Sequence, residues 1–483
     1  MRRHILPIAI GILAAAAVFA QTHGYGFFGF DSYPILLTSR IQNLHDLAGN
    51  FTEELMDGRF EGHFYRPLLN LSFALDAAFW RLNPFGFQLT NALLFGASVG
   101  VTWILARRLL GSNAWFGASV AVLVFALHPT HIEVFPVPSR RPEMMAWIFG
   151  GGALALQLRG GPQWLPAILS FLAMLSKETA LMLPAWIFIA VLLTERNARA
   201  SVRATIPHAI AFVGAVMLRL AVLHGLGGYG HTKIGPMLSH GAHLIPTTLG
   251  IMLMPQPPLY LKLAGLPVIP LCLFLALAGV VFPLRNASSN VKFRKEANTF
   301  LIGAVWILMT SWAASLAGRI ASWYVFLPVA GWALVMGALA ETAWRAHRMR
   351  PMATRWLGTS VLFLIAVLTV FPALYSPFID RYREWDEASA ESRSFLSALD
   401  DVVEHAENGT AVPSPPVPRW AKVSSSAVAV RGAALFSGMT LDAYFELKYP
   451  ERHVRLARKE SDRPEAGGVL VVPTGFVPGF DGP

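Results

Sequence analysis

Long apolar runs constrain this chain more than any other feature. They approach or exceed spanning length and recur along most of its 483 residues, from 5–20 to 357–374. A bilayer core of ~30 Å asks for about 20 apolar residues per helix, and only helices or closed barrels satisfy their backbone inside it. Charged residues make up 14% of the chain, against about 25% in a soluble globular protein. The pattern predicts an all-α polytopic membrane protein. A net charge of +10 would suit a nucleic-acid binder. The Lys and Arg residues lie in short loops between apolar runs, however, which is the positive-inside pattern, so no nucleic-acid partner is expected. The single cysteine, Cys272, lies in an apolar run. It reads as a small core residue rather than a thiol catalyst, and one cysteine excludes an intrachain disulfide.

Met1-Arg-Arg-His followed by 5–20 predicts a retained first span with its basic end in the cytoplasm. Val18-Phe-Ala20 before Gln21 resembles a signal-peptide cleavage site and is the alternative. Residues 22–86 form a polar first extracytoplasmic loop. Spans are then expected over 87–110, 114–127, 144–158, 164–175, 180–193, 206–223, 263–282, 300–312, 324–339 and 357–374, while 244–254 is too short and reads as interfacial. This makes about eleven spans. The N-terminus is cytoplasmic, the C-terminus is extracytoplasmic, and the Arg/Lys-rich loops all fall on the cytoplasmic side. Residues 1–380 form the membrane domain. Residues 381–483 read as a small extracytoplasmic α/β domain, with a helix over 385–405, a Pro-rich linker at 412–418 and a strand-like run at 468–472. In a bacterium such a protein sits in the plasma (inner) membrane. No internal repeat is visible, which disfavours the transporter folds built from repeats.

Several unusual polar clusters converge on the outer face of this topology. They are Asp31; Tyr65-Arg66; the loop from His128 through His131, Glu133 and Arg141 to Glu143; Lys177-Glu178; and Arg319. Ionisable groups beside hydrocarbon cost roughly 2.5–3.5 kcal/mol each on insertion scales, so their gathering on one side marks a functional site. His128 and His131 with Glu133 are not the His-Glu-x-x-His of a zinc protease, and no third ligand is fixed by spacing.

The run His128-Pro-Thr-His131-Ile-Glu133-Val, followed by Arg141-Pro-Glu143, resembles the His-Pro-x-His-x-Glu-x-Val … Arg-Ala-Glu signature of the transmembrane TPR O-mannosyltransferases. These are polytopic C-type (GT-C) glycosyltransferases related to the protein O-mannosyltransferases. Tyr65-Arg66-Pro67-Leu68, Asn83-Pro-Phe-Gly86-Phe-Gln88-Leu-Thr-Asn91 and Leu175-Ser-Lys177-Glu178 resemble further motifs of the family, in the same order. The resemblance covers roughly residues 1–345. It implies a polyprenyl- or dolichyl-phosphate-linked sugar as donor, inversion at the anomeric carbon, and an acidic residue just after the first span. The chain also departs from the family. Asp31-Ser32 stands where the family has paired Asp, Gln88 and Phe95 replace two histidines, and Trp323 stands for the Arg of a late Arg-Tyr-Leu-Tyr-Leu-Pro motif, with Arg319 one helical turn earlier. Residues 381–483 show no 34-residue period, so the family's TPR array is absent from them.

Transfer from a lipid phosphate needs a base for the acceptor hydroxyl and cations for the departing phosphate. Asp31 is the expected base, and Arg141, Lys177 and Arg319 are the expected phosphate ligands. Glu133, Glu143 and Glu178 orient those cations or the sugar; Arg66, Tyr65, His128, His131 and Asn91 are supporting, acceptor or sugar contacts. The chemistry requires no cofactor and is compatible with a divalent cation, Mg or Mn, although Ser32 leaves its second acid unassigned. Protein hydroxyls are the favoured acceptor, with a lipid or cell-surface glycan as the alternative and membrane lipid as a further partner. The rival from another class is a polytopic transporter or exporter. It predicts mid-span charges and paired broken helices, whereas the charges here crowd at outer ends.

Overall fold

The computed structural model describes residues 2–59, 63–225, 227–228, 248, 251–252, 293–315, 322–348, 352–373, 383–418, 420–421, 433–458, 462–465 and 467–474. The expected span over 263–282, most of the interfacial segment 244–254, Cys272 and Arg319 lie outside these residues. The described chain is mostly helical. By length and composition, five of its helices can cross a membrane: Pro84–Leu110, Glu178–Glu195, Ala198–Leu223, Arg294–Ala314 and Trp323–His347. Ile8–Thr22, Trp115–Ala126, Trp164–Ser176 and Thr354–Val370 are shorter apolar helices.

Helix α1 (Arg2–Thr22) covers the expected first span, and the first loop folds into α2 (Ser32–Thr38), α3 (Leu44–Thr52) and α4 (Pro67–Trp80). The bundle continues with α5 (Pro84–Leu110), α6 (Trp115–Ala126), α7 (Arg141–Gln157), α8 (Trp164–Ser176), α9 (Leu183–Glu195) and α10 (Ala198–Leu223). Next come α11 (Arg294–Ser315), α12 (Phe326–His347) and α13 (Met352–Ala373). Several expected boundaries move, two of them with a visible local cause. Arg199 and Arg203, read as loop residues, lie on α10, because the Asn197 side chain accepts from Ala200 N–H and starts the helix eight residues early. α7 begins at Arg141 rather than Met144, with Pro142 in its first turn.

Helix α12 is apolar around its whole circumference and is the buried centre of the bundle. Side-chain indoles fill the space beside it. Trp147, Trp186 and Trp306 are fully buried, and the Trp186 and Trp306 ring centroids lie 4.1 Å apart. Each N–H finds an acceptor: Thr102 Oγ1 at 2.9 Å, the Ile302 carbonyl at 3.0 Å and the Leu327 carbonyl at 2.7 Å, respectively. Close backbone approach is made by glycine. A Cβ built on Gly303 would stand 2.7 Å from the Gly331 carbonyl oxygen, and one on Gly117 would stand 2.4 Å from that of Gly337. Small residues at crossings let helices pack where lipid supplies no hydrophobic drive.

The His/Glu/Arg stretch is not a solvated surface loop. Residues 128–138 are buried, folded as two short 3-10 turns, Pro129–Glu133 and Pro138–Arg140, which are set inward by their prolines. His128 holds this fold as a neutral ring. Its Nε2 faces the Met252 carbonyl at 2.8 Å, while Nδ1 accepts from the Thr130 N–H and lies 2.8 Å from Thr130 Oγ1. Burial pulls its pKa down to about 4. His131 packs among the rings of Phe95, Phe125 and Phe326.

From residue 383 the chain forms α14 (Arg383–Glu404), α15 (Gly438–Lys448) and a parallel sheet of β1 (Thr410–Pro413), β4 (Val454–Leu456) and β5 (Val469–Val472) in the order β1-β5-β4. Two short antiparallel strands, β2 (Trp420–Ala421) and β3 (Ala433–Ala434), lie between. These elements dock on the first loop. The Tyr25 hydroxyl donates to Asp386 at 2.9 Å, Arg59 meets Glu446 at 2.6 Å, and Phe28 stands edge-on to Trp385.

Gly303→Leu is expected to cost about 1–3 kcal/mol by overpacking the α11–α12 crossing, read as a lower melting temperature in detergent, with Gly303→Ala closer to native. His128 supplies an acid-labile element. An unfolded His binds its proton near pH 6.5 and the folded one near 4, so stability is complete above about 6.5 and is lost as pH falls through that window, by on the order of 3 kcal/mol. Comparing melts at pH 7 and pH 5, His128→Gln should show a smaller acid loss than the parent chain.

Candidate active site

Three segments meet at the turn that carries Asp31. The turn follows α1: Gly29 has φ +83°, Ser32 Oγ donates to the Phe28 carbonyl at 2.5 Å, and Asp31 is the N-cap residue of α2. Gly29 permits a close approach to the buried loop, since a Cβ there would lie 2.9 Å from Val137 Cγ1 and 3.2 Å from Ser139 Oγ. Asp31 is exposed, and its charge acts on Arg140 of the loop.

Arg140 is the junction of the site. Its guanidinium bonds both the backbone carbonyl and the carboxylate of Glu133, the latter at 2.8 Å, and lies 3.8 Å over the Trp323 ring. Burial lowers its pKa, while the Glu133 and Asp31 carboxylates act in the opposite sense. Burial likewise raises the pKa of Glu133, against the effect of Arg140. Tyr324, next to Trp323, faces both Arg140 and Lys177, with the Lys177 ammonium 5.0 Å from its ring centre.

Lys177 forms a buried ion pair with Glu143. Its neighbour Glu178 receives a bidentate Arg66, at 2.6 Å and 3.1 Å, and Arg66 stacks 4.5 Å over Phe64. Arg219 of α10, 8% exposed, acts on both Glu178 and Arg66. Four cations, Arg66, Arg140, Lys177 and Arg219, thus interleave with four carboxylates, Asp31, Glu133, Glu143 and Glu178. Asp31 is exposed; for the others, paired burial is what lets such charges leave water.

Other residues expected at the site do different work. Arg141 is fully buried, and all five of its N–H groups are engaged. Nε donates to Asn91 Oδ1 at 2.6 Å, one terminal nitrogen donates to the Ser72 carbonyl and hydroxyl, and the other donates to Asp76 at 2.5 Å and the Phe87 carbonyl at 2.9 Å. It keeps no donor for a phosphate, which corrects the expected role. Asn91 completes the same clamp by donating to the Phe135 carbonyl. The Tyr65 hydroxyl donates to the Phe51 carbonyl within the first loop, and the two histidines pack the loop core. Arg140, Trp323, Tyr324 and Arg219 stand among the charged side chains instead. A guanidinium inside the apolar run 206–223 was the available signal for Arg219.

Ser32, at the position of the family's second acid, turns its hydroxyl to its own backbone, and among the described residues no three His, Cys, Asp or Glu side chains cluster as ligands.

No protein-family model matches the chain. Among curated proteins, protein O-mannosyl-transferase tmtc2 of Xenopus laevis is 34% identical over 138 residues, 28% of this chain and 16% of that protein. Protein O-mannosyl-transferase Tmtc1 of Drosophila melanogaster is 27% identical over 178 residues, 35% and 20% of the two chains. The chain therefore spans about a fifth or less of the length of these relatives. Among solved structures, ArnT from Cupriavidus metallidurans bound to undecaprenyl phosphate is 14% identical with a TM-score of 0.47, over 95% of this chain and 86% of that one. The oligosaccharyltransferase AglB from Archaeoglobus fulgidus, in complex with an inhibitory peptide and a dolichol-phosphate, is 10% identical with a TM-score of 0.46, over 83% and 58%. The resemblance to the transmembrane O-mannosyltransferases that the motifs carry is borne out over part of the chain.

Proposed function

We propose that this protein is a GT-C-type membrane glycosyltransferase that moves a sugar from a polyprenyl- or dolichyl-phosphate donor to an acceptor hydroxyl. The observation that carries this reading is the meeting of Asp31, Arg140 and Lys177 around Trp323 and Tyr324. A carboxylate that accepts a proton there stands beside cations that hold a leaving phosphate. Asp31 takes the proton of the acceptor hydroxyl as its oxygen attacks the anomeric carbon from the face opposite the phosphate. The bond from that carbon to the phosphate oxygen breaks, configuration inverts, and the bonding pair leaves on the phosphate. Arg140 and Lys177 stabilise the charge that builds there, which is where preorganised cations act most strongly. Glu133 and Glu143 hold these cations in place, and Arg66 with Glu178 and Arg219 supports Lys177 from behind.

Orientation follows from charge. Helix α5 runs about 40 Å from the site to Arg107 and Arg108. A cavity of about 620 Å³ at that far end is lined by Arg108, Arg294, Lys295 and Arg345. By the positive-inside rule that end is cytoplasmic, so Asp31 and the elements from residue 383 onward face the other compartment. The names of the relatives favour a protein hydroxyl as acceptor. A lipid or glycan acceptor is the second reading, favoured by the parallel sheet of β1, β5 and β4, which stands where the family has helical repeats.

The test is release of lipid phosphate by purified protein from a panel of polyprenyl-phosphate sugars. Asp31→Asn should stay folded and lose about 10²–10⁴-fold in turnover; native turnover by that variant would remove Asp31 from the mechanism. The two neighbouring arginines should separate cleanly. Arg140→Lys keeps a cation beside the buried Glu133 carboxylate but loses the planar fork, and is expected to lose about 10²-fold in turnover with melting little changed. Arg141→Met leaves Asp76 buried without its cation and should cost about 3–5 kcal/mol of stability. The reverse pattern would exchange their roles.

A further inference from the structure

The peptide bond immediately before Asp31 is held by the far end of the chain. Thr440, fully buried in the first turn of α15, donates its hydroxyl to the Phe30 carbonyl at 2.8 Å. That hydroxyl is itself oriented. A capping box with Ser437 starts α15, in which Thr440 N–H donates to Ser437 Oγ and Thr440 Oγ1 accepts from Ser437 N–H at 3.2 Å. Helix α15 is in turn fixed on both sides. The Tyr444 and Tyr449 hydroxyls donate to Asp400 of α14, each at 2.7 Å. The Tyr444 ring meets Tyr33 of α2 edge-on at 5.3 Å. Helix α14 grips the chain just upstream of the turn through Asp386 to Tyr25, Ser389 to Gly26 N–H and Arg393 to the Gly24 carbonyl. Residues 24–33 are therefore clamped between α14 and α15 on one side and the Val137–Ser139 wall of the loop on the other.

We infer that Thr440 is a positioning residue for Asp31: the C-terminal elements aim the Asp31 carboxylate at the acceptor rather than simply recruiting one. The inference rests on the glycosyltransferase reading for its consequence and on the Thr440–Phe30 hydrogen bond for its cause. Loop residues that carry reacting groups need rigid support, and a displacement of about 1 Å is enough to cost on the order of 100-fold in rate. Thr440→Val keeps the shape and removes the donor, whereas Thr440→Ser keeps the donor.

Two measurements on the full chain in detergent test this. In hydrogen exchange, Thr440→Val should speed exchange of the Ser32, Tyr33 and Ile35 amides about tenfold or more while the transmembrane helices stay protected, and Thr440→Ser should leave them near native. Unchanged exchange at those amides in Thr440→Val would overturn the inference. In the lipid-phosphate release assay, Thr440→Val should lower kcat by about 10- to 100-fold with the donor KM nearly unchanged, and Thr440→Ser should restore most of it. Native kcat in Thr440→Val would also overturn it. Loosened amides combined with no turnover by the parent chain on any donor would instead sink the glycosyltransferase reading and leave the clamp intact.

Discussion

A guanidinium with no solvent around it sets the geometry of this protein. Arg141 begins α7, and its five N–H groups tie that helix to Ser72 and Asp76 of α4 and to Phe87 and Asn91 of α5. Buried charge is tolerated only when its partners are complete, and a planar fork with five fixed donors admits few ways to complete them. The start of α7 is therefore fixed against α4 and α5 to within hydrogen-bond tolerance. The loop that ends there is fixed with it, and so is the adjoining Arg140.

The consequence is a division of labour between neighbours in sequence. Arg140 closes a 3-10 turn and Arg141 opens an α-helix. One guanidinium then points into the bundle, and the other lies against Glu133, Trp323 and the turn of Asp31. A similar division runs through Lys177 and Glu178, which pair with Glu143 and Arg66 on different helices. Alternating signs keep every buried charge compensated while leaving cations and a carboxylate within reach of one another. On the proposed reading, that is the electrostatic condition for holding a phosphate beside a base.

Much of this was legible in the sequence. Apolar run lengths announced a helical membrane bundle, and among the polar clusters that the runs bracket, Asp31, Arg66, Glu133, Glu143, Lys177 and Glu178 gather in the structure. Legibility failed where a residue's type says nothing of its direction. Arg141, Asn91, Tyr65, His128 and His131 have the chemistry of site residues, yet their polar atoms are consumed by Asp76, Phe135, Phe51, Thr130 and their like, or their rings by packing. Arg140 was passed over beside a motif residue of the same type. Arg219 was hidden in an apolar run, and Thr440 in a segment that shares no motif with the rest.

What the chain determined by itself was its class and its reserve of chemistry. Long uninterrupted hydrocarbon runs can be satisfied only as packed helices, and costly charges beside them have to meet one another. Which charges meet was decided by tertiary structure alone. Partner choice depends on helix phase, on Gly–Gly crossings that set how near backbones come, and on the docking of α14 and α15 against a turn some four hundred residues away in sequence. Such long-range pairings leave no local pattern of residue types, because each side of the pair is also an ordinary solution to a local problem of capping, pairing or burial.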